Sequence, residues 1–204
     1  MKELKWYGHA YFKITTSTDK VIVIDAYNNK ANYKADYILS THSHYDHFSE
    51  DDILPLVQTN TKIFAPADCK TTKFKITNYF KPNDIYKDDY VKITGISAYN
   101  INKQFHPKKN NWLGYIIEFD NIKIYHSGDT DIIPEMKIAA NVDYALMAVG
   151  GTYTMTADEA AEAVNTIITP KIAIPMHWGS IVGSESDAVK FSQKAKCKVE
   201  ILKV

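Results

Sequence analysis

The sequence predicts an α+β protein in which two β-sheets pack face to face, with helices on the outside. Short β-branched runs recur along both halves of the 204-residue chain, and only a few helical segments lie between them. No stretch rich in Gly, Pro or Ser divides the chain, and it carries no repeat at solenoid spacing. We therefore expect one domain over residues 1–204.

Strands are predicted where apolar residues alternate or run continuously. The stretch 20–27 is a β-branched run typical of a strand buried on both faces. Asp120 and Asn121 predict the turn of a hairpin, whereas the Lys- and Tyr-rich stretch 69–89 has no clear pattern. The predicted strand segments are AYFKIT (10–15), KVIVIDAY (20–27), ADYILST (35–41), TKIFAP (61–66), YVKITGISAYN (90–100), the two strands of LGYIIEFDNIKIYHSGD (113–129), DYALMAV (143–149), KIAIPMHW (171–178) and KVEILK (198–203).

Helices are predicted from capping residues followed by an apolar face. Ser49 is a candidate N-cap with acidic residues in the turn that follows it. Thr156 and Glu159 have the spacing of a capping box, and the apolar residues after them fall on one helix face. The predicted helices are 49–58, 156–169 and a segment near 186–195.

Charge and cysteine content restrict the class of function. Lys plus Arg and Asp plus Glu both number 24, so the zero net charge gives no footprint for a long nucleic acid or an anionic membrane. Cys69 and Cys197 are far apart and outside any CxxC pair, which favours a reducing compartment. The N-terminus has no apolar signal segment, and no apolar run has the length of a bilayer span. We expect a cytoplasmic protein without a membrane span or a nucleic-acid partner.

The stretch THSHYDH, residues 41–47, carries the strongest chemical signal. His42 and His44 are two residues apart and share a face of an extended segment, while Asp46 and His47 follow where the chain turns. Imidazole and carboxylate are good ligands for zinc and for manganese and iron. The ions of a dinuclear centre lie about 3.5–4 Å apart, within reach of one loop. The alternative is a solvated histidine-rich loop that binds metal adventitiously.

Further candidate ligands follow later strands. Asp129 comes directly after Gly128 at a strand exit, where its carboxylate could bridge two ions. His177 lies at the end of the predicted strand 171–178. Functional groups collect at strand ends in sheet proteins, so we expect these residues to meet on one rim.

These motifs together resemble a known family. THSHYDH, GDTD (128–131) and PMHW (175–178) are similar to successive metal-binding motifs of the metallo-β-lactamase superfamily. The resemblance covers nearly the whole chain. Within the superfamily, the chain resembles the small single-domain metal-dependent hydrolases, including relatives similar to the L-ascorbate-6-phosphate lactonases. The resemblance implies a four-layer αββα sandwich with a site on one edge between the sheets, and two divalent ions, zinc or alternatively manganese or iron.

The resemblance also implies a ligand set. It assigns His42 and His44 to the first metal, Asp46 and His47 to the second, Asp129 to a bridging position, and His177 to the second metal. The family usually places a further histidine near the segment SAYN, where this chain has Asn100. We expect His106, six residues later, to be the third ligand of the first metal, with His126 or a water as the alternative.

Other residues near these motifs each have two interpretations. His9 and His126 are either structural histidines or hydrogen-bond partners of the ligands. Lys108, followed by Lys109, either holds an anionic group or belongs to a solvated basic loop. Tyr153 and Trp178 either contact substrate or pack in the interior.

The expected activity is hydrolysis by a metal-activated water. Asp46 would be both a ligand and the acceptor of a hydrogen bond from that water. The expected substrate is small, with an anionic one among the options, and the candidate classes are a lactone, a phosphodiester and a thioester. The alternatives are a non-hydrolytic metal-binding protein and a di-iron redox protein of the same fold. A redox enzyme of this superfamily typically has an acidic residue where Ser43 and His44 stand, together with a partner domain.

Overall fold

The computed structural model describes residues 1–30 and 32–204, and the strands of this part of the chain form two sheets. The first sheet contains six strands in chain order. Its first three strands are antiparallel and the remaining neighbours are parallel. The strands are β1 (Glu3–Trp6), β2 (Phe12–Thr15), β3 (Val21–Ile24), β4 (Tyr37–Leu39), β5 (Lys62–Ala65) and β6 (Asn78–Tyr79).

The second sheet contains seven strands and repeats the same change of direction. Strands β7 to β10 are antiparallel neighbours, and β10 to β13 are parallel neighbours. Asp120 and Asn121 join β9 to β10 with φ of 50° and 58°, the conformation of a two-residue hairpin turn, as predicted. The strands are β7 (Ile85–Lys87), β8 (Lys92–Ser97), β9 (Leu113–Phe119), β10 (Ile122–His126), β11 (Tyr144–Ala148), β12 (Ile172–Met176) and β13 (Lys198–Val199).

Three α-helices lie in the described ranges, together with short turns of 3₁₀-helix. The side chain of Ser49 caps the first helix by accepting a hydrogen bond from the Asp52 N–H. Thr156 and Glu159 form the predicted capping box. The helices are α1 (Glu50–Ile53), α2 (Ala157–Ala163) and α3 (Glu185–Lys194), and the 3₁₀ turns are Leu54–Leu56, Lys108–Asn110 and Pro134–Ala139.

The second helix ends earlier as an α-helix than the prediction of 156–169. After Ala163 it widens into a π-helix, Val164–Ile168, which ends at Thr169 in the left-handed region. Two local features explain the change. β-branched side chains crowd this segment, and the Thr166 hydroxyl donates to the Glu162 carbonyl oxygen at 2.7 Å, a contact that loosens a helix.

The core has the layers that the sequence predicts. Ile22 and Ile24 of β3 point between the sheets and share a buried cluster with Ile117 of β9. Val23, between them, points to the other face and packs with Ile53 of α1. Buried residues of α2 and α3 cover the outer face of the second sheet. The arrangement is an αββα sandwich, so the fold prediction is confirmed, whereas the extent of the domain stays a prediction.

One carboxylate joins the two sheets at an edge away from the histidines. Asp88, which follows β7, accepts hydrogen bonds from the Tyr37 hydroxyl at 2.7 Å and from the Lys62 ammonium group at 2.8 Å, both in the first sheet. It also accepts from the N–H groups of Tyr90 and Val91. The lost solvation of Asp88 raises its pKa, but these donors outweigh it and hold the pKa below the ordinary range.

Both cysteines, Cys69 and Cys197, are free thiols. Of the helices in the described part of the chain, none has the length and apolar character needed to cross a bilayer.

Candidate metal centre

The loop after β4 carries the histidine-rich motif into the space between the sheets. The N–H groups of His47 and Phe48 both donate to the His44 carbonyl oxygen, at 3.0 and 2.9 Å. This tight turn directs the imidazoles of His42, His44 and His47 and the carboxylate of Asp46 inward. Asp129 reaches the same place from the end of β10, and His177 from the end of β12. The predicted meeting of strand ends on one rim is therefore what the structure contains.

Asp129 lies at the centre of the cluster. Its Oδ2 atom is 3.1 Å from Nε2 of His177, 3.2 Å from Nε2 of His106, 3.5 Å from Nε2 of His47 and 4.0 Å from Nε2 of His42. The side chain is almost completely buried. One carboxylate oxygen thus faces four imidazole nitrogens, an arrangement suited to a bridging ligand.

Two groups of potential ligand atoms flank Asp129, each with its atoms within 4.8 Å of one another. The first group is His42, His44 and His106. The second group is His9, Asp46, His47 and His177. The family resemblance assigned all of these except His9 to the same two groups. The structure brings His106, and not His126, into the first group.

The donor atoms fit metal ions better than they fit one another. Nε2 of His47, His106 and His177 and Oδ1 of Asp129 are buried without a hydrogen-bond partner. Unpaired buried polar atoms are rare in proteins and costly, and four of them converge here. Imidazole nitrogens with carboxylate oxygens are a typical donor set for zinc and related ions.

A buried carboxylate, Asp25, orients two of the histidines. At the end of β3, its Oδ2 accepts from Nδ1 of His47 at 2.7 Å and from the Thr41 hydroxyl at 2.7 Å. Because the Thr41 hydroxyl uses its O–H to donate a hydrogen bond to Asp25, its oxygen can only accept from Nδ1 of His42, 3.0 Å away. Both histidines therefore carry their proton on Nδ1 and turn Nε2 toward the centre, as metal ligands with carboxylate partners do.

Asn100 performs the same task for His106. Its Oδ1 accepts from the His106 backbone N–H at 3.1 Å and from Nδ1 of the ring at 3.0 Å. Nε2 of His106 is therefore the nitrogen that faces Asp129. By contrast, both ring nitrogens of His126 are used elsewhere, since Nε2 lies 3.0 Å from the Ala10 carbonyl oxygen and Nδ1 accepts from the Gly128 N–H.

His9 contacts two other members of the second group. Its Nε2 lies 2.9 Å from Oδ2 of Asp46, and its ring centroid is 4.0 Å from that of His177. His9 and His177 both have left-handed backbones, with φ of 52° and 61°, and the His177 N–H donates to the His9 carbonyl oxygen at 2.8 Å. Two non-glycine residues in this region at one site are a strained arrangement, of the kind that concentrates at functional sites.

The electrostatics favour neutral imidazoles in the first group and positive charge in the second. Burial lowers the pKa of His42 and of His44, so their imidazoles are neutral at pH 7. Burial alone would raise the pKa of Asp46, but the hydrogen bond from His9 and the neighbouring His47 lower it to about 2. Burial opposes a charge on His47, yet Asp129 and Asp25 raise its pKa well above the usual value. The carboxylates around His47 thus call for positive charge at this point.

Glycines allow the ligand-bearing segments to approach closely. A Cβ on Gly128, which precedes Asp129 and has a φ of 60°, would lie 2.4 Å from the Leu113 carbonyl oxygen. A Cβ on Gly150, after β11, would lie 2.5 Å from the His177 carbonyl oxygen. Both positions require glycine because backbone lies where a side chain would stand.

Three residues with a predicted substrate contact have different surroundings. Tyr153 lines a cavity of about 230 Å³ that opens onto the cluster. Lys108 lies outside that lining; its ammonium group pairs with Glu135 at 2.9 Å and lies over the Tyr99 ring. Trp178 is buried, 4.8 Å from the Trp6 ring, and donates to the Pro175 carbonyl oxygen. The structure therefore brings only Tyr153 of these three to the cavity.

Several residues of the site, among them Thr41 and Asn100, were given no role from the sequence. Asp25 ends a fully apolar strand, and an acidic residue in that position is the signal that could have identified it. Trp112 forms a wall beside the first group, with ring centroids 4.8 Å from His42 and 5.5 Å from His106, and has no such signal.

Comparisons with known proteins agree with this geometry. The model of the beta-lactamase superfamily domain matches residues 3–177. A UPF0173 metal-dependent hydrolase of Thermococcus onnurineus is 32% identical, over 99% of this chain and 96% of its own length. A crystal structure assigned as a metal-dependent hydrolase, from Parabacteroides distasonis, superposes with a TM-score of 0.86 at 30% identity and covers 98% of this chain and 93% of that chain. Igni18, a metallo hydrolase from Ignicoccus hospitalis, has a TM-score of 0.80 over 98% and 94% of the two chains, and at 23% identity it shows the fold alone.

Proposed function

The chain belongs to the β-lactamase superfamily, within a family of metal-dependent hydrolases, and from this premise we propose that it hydrolyses a small substrate with water activated at a pair of divalent metal ions. The observation that carries the proposal is the convergence of four imidazole Nε2 atoms on Oδ2 of Asp129.

Each ion has a proposed set of ligands. His42, His44 and His106 would hold the first ion, and Asp46, His47 and His177 the second, with Asp129 between them. The two groups of ligand atoms and the unpaired nitrogens support this division. The donor set favours zinc, with manganese or iron(II) as alternatives.

Such a pair of ions would supply a water with a pKa of about 7 and would polarise a carbonyl or phosphoryl oxygen. The chain's own residues then determine orientation. Asp46 lines the cavity, and its Oδ2 is held by Nε2 of His9, so the carboxylate is positioned to accept a hydrogen bond from the attacking water. Asp25 and Asn100 fix the ring orientations of the histidines and so keep the donor atoms in place before substrate arrives.

The substrate classes that fit this chemistry are a lactone, a phosphodiester and a thioester. The hypothesis that Lys108 holds an anionic substrate loses its support, because the Lys108 side chain pairs with Glu135 away from the cavity. Tyr153 keeps its support as a substrate contact, since it lines the cavity.

The test is a hydrolysis panel on protein reconstituted separately with zinc and with manganese. The panel contains a sugar-phosphate lactone, a phosphodiester, a thioester and a β-lactam, and bound metal is measured in the same samples. We expect turnover of at least one substrate, lost together with bound metal in Asp129→Ala and retained in Asp158→Ala, whose carboxylate is exposed on α2.

Three outcomes would contradict the proposal. Full activity in Asp129→Ala, or activity that survives complete removal of metal, would exclude the bridged centre as the catalyst. Two ions bound without turnover of any substrate would favour a non-hydrolytic metal-binding protein.

A further inference from the structure

The cavity over the candidate metal centre has a floor and a wall of different chemistry. Candidate ligands form the floor. The wall, here called the collar, consists of Tyr45, Phe105, Tyr153 and Ile181. These four side chains come from four different loops, those after β4, β8, β11 and β12. At about 230 Å³ the cavity accepts a group of small-molecule size.

The collar exposes much apolar surface. Tyr45 is 66% exposed, Phe105 47% and Ile181 48%. Single exposed apolar residues are ordinary, but several around one opening mark a binding site. The Phe105 and Tyr153 rings meet edge to face with centroids 4.7 Å apart, which holds two members of the collar in a fixed arrangement.

Ile181 has a backbone conformation that its side chain disfavours. Its φ is 68°, and the Val182 N–H donates across it to the Ser180 carbonyl oxygen at 2.8 Å, which closes a tight γ-turn. A β-branched residue with a positive φ is a true outlier, and strain of this kind is concentrated at functional sites.

Glycines in the neighbouring segments allow close packing beside this turn. A Cβ on Gly183 would lie 3.0 Å from the Gly150 Cα, so the loops that carry Tyr153 and Ile181 pack directly against each other. The fold thus fixes two collar residues beside His177, and it does so at the cost of strain at Ile181.

Cations are absent from the lining of this cavity as far as the described residues show. All 24 basic residues of the chain are lysines, so the chain contains no guanidinium group to clamp a phosphate or carboxylate. Lys103 and Lys108, from the same loop as Phe105, pair with Asp131 and Glu135 instead. An anionic group beyond the reacting bond would therefore find apolar side chains and no positive partner.

We propose that the collar binds a neutral apolar group of the substrate, an aryl ring or a short alkyl chain attached next to the bond that is cleaved. This inference rests on the proposed hydrolase function, because it places the reacting bond over the metal ligands. The collar would contact the acyl or aryl part of the substrate. A substrate recognised through a phosphate group remote from the cleaved bond is excluded.

The test uses hydroxamates, which share one metal-binding group and differ in their tails. Affinity for zinc-loaded protein is measured by calorimetry for acetohydroxamate, benzohydroxamate, hexanohydroxamate and a hexanoyl analogue that ends in a carboxylate. We expect the two apolar tails to bind at least about tenfold more tightly than acetohydroxamate, the equivalent of roughly two fully buried methylene groups. The carboxylate tail should gain nothing.

Variants separate the collar from the fold and from the metal. Phe105→Ala and Ile181→Gly should each reduce the preference for apolar tails at least about threefold, with unchanged metal content and unchanged acetohydroxamate affinity. Ile181→Gly should also raise the melting temperature, since glycine adopts a φ of 68° without strain. Ile85→Ala, which truncates another exposed isoleucine, on β7 and outside the lining of this cavity, is the control and should leave the preference intact.

The outcomes distinguish this inference from the proposed function. Equal affinities for acetyl and benzoyl tails, tightest binding by the carboxylate tail, or no binding of any hydroxamate to the metal-loaded protein would overturn the collar, even if a substrate is turned over. A preserved apolar preference without turnover of any substrate would instead overturn the hydrolase and leave the collar standing.

Discussion

Replacement of Asp25 by asparagine changes one atom of a buried side chain and should disturb one ligand of each predicted metal. The Asp25 carboxylate accepts three hydrogen bonds, from the Thr41 N–H at 2.8 Å, the Thr41 hydroxyl at 2.7 Å and Nδ1 of His47 at 2.7 Å. An asparagine amide group can accept at its oxygen only. With its NH₂ at the Oδ2 position it would face the Thr41 hydroxyl and Nδ1 of His47, and His47 could relieve this conflict only by moving its proton from Nδ1 to Nε2. With its NH₂ at the Oδ1 position it would face the Thr41 N–H, and the uncharged amide oxygen would be a weaker acceptor for His47.

The first orientation removes the lone pair that a metal requires, and the second weakens the charge-assisted hydrogen bond that orients the His47 ring. A hydrogen bond to a charged group contributes about 1.5–3 kcal/mol, which corresponds to roughly 10- to 150-fold in an equilibrium constant. Loss of the partner of a ligand histidine typically weakens metal binding about 10- to 100-fold. We therefore expect Asp25→Asn to lower zinc affinity at the second site by about 10- to 100-fold, with a smaller loss at the first site through Thr41 and His42.

Competition with a chromophoric chelator measures both affinities, and near-ultraviolet circular dichroism checks the fold. Asp36→Asn is the matched control, because Asp36 also accepts a backbone N–H in the first sheet, that of Val21 at 2.9 Å, but does not belong to the cluster. Equal zinc affinities for the two variants would refute the role of Asp25.

Three further changes have effects that the structure specifies. Gly128→Ala should lower the free energy of unfolding by about 2 kcal/mol or more, because φ is 60° and the new methyl group would lie 2.4 Å from the Leu113 carbonyl oxygen. Thermal unfolding tests this prediction, and an unchanged melting temperature would contradict the close approach. Asn100→Ala should remove the hydrogen bond that orients the His106 ring and so remove about one metal per chain, if both sites are otherwise filled. Elemental analysis measures the bound metal, and two ions retained at full affinity would show that Asn100 is dispensable. Asp88→Asn should destabilise the protein at pH 7, and its difference in stability from the native protein should shrink as the pH falls below about 4. The reason is that a folded-state pKa below the ordinary value contributes stability that is lost when the carboxyl group protonates. Denaturant unfolding across this pH range measures the difference, and a pH-independent difference would contradict the assignment.

The sequence predicts most of the fold because its strands are apolar runs. The run 20–27 reads as doubly buried, and β3 does pack on both faces. The strands β1, β6 and β7, which the sequence did not predict, are short or have exposed residues. β6 and β7 lie in the stretch 69–89, where a strand is defined by its hydrogen-bonded pairing with a neighbouring strand and not by an apolar pattern.

The candidate site is predictable where the ligand types themselves carry the signal. His42, His44, Asp46 and His47 are close in sequence, and the structure also brings His106 to the same cluster. The supporting contacts are not predictable in this way. Asp25 is recruited because β3 and β4 are parallel neighbours, so their ends meet, and this pairing is a property of the tertiary structure. Lys108 is drawn away from the cavity by Glu135, a partner 27 residues distant that its local sequence does not reveal.

The central claim is that Asp129 bridges two divalent ions, and anomalous diffraction from zinc-loaded crystals of this protein tests it most directly. We predict two anomalous peaks about 3.5–4 Å apart, one beside His42, His44 and His106 and one beside Asp46, His47 and His177, with the Asp129 carboxylate between them. A single peak, or two peaks with Asp129 bound to neither, would contradict the account.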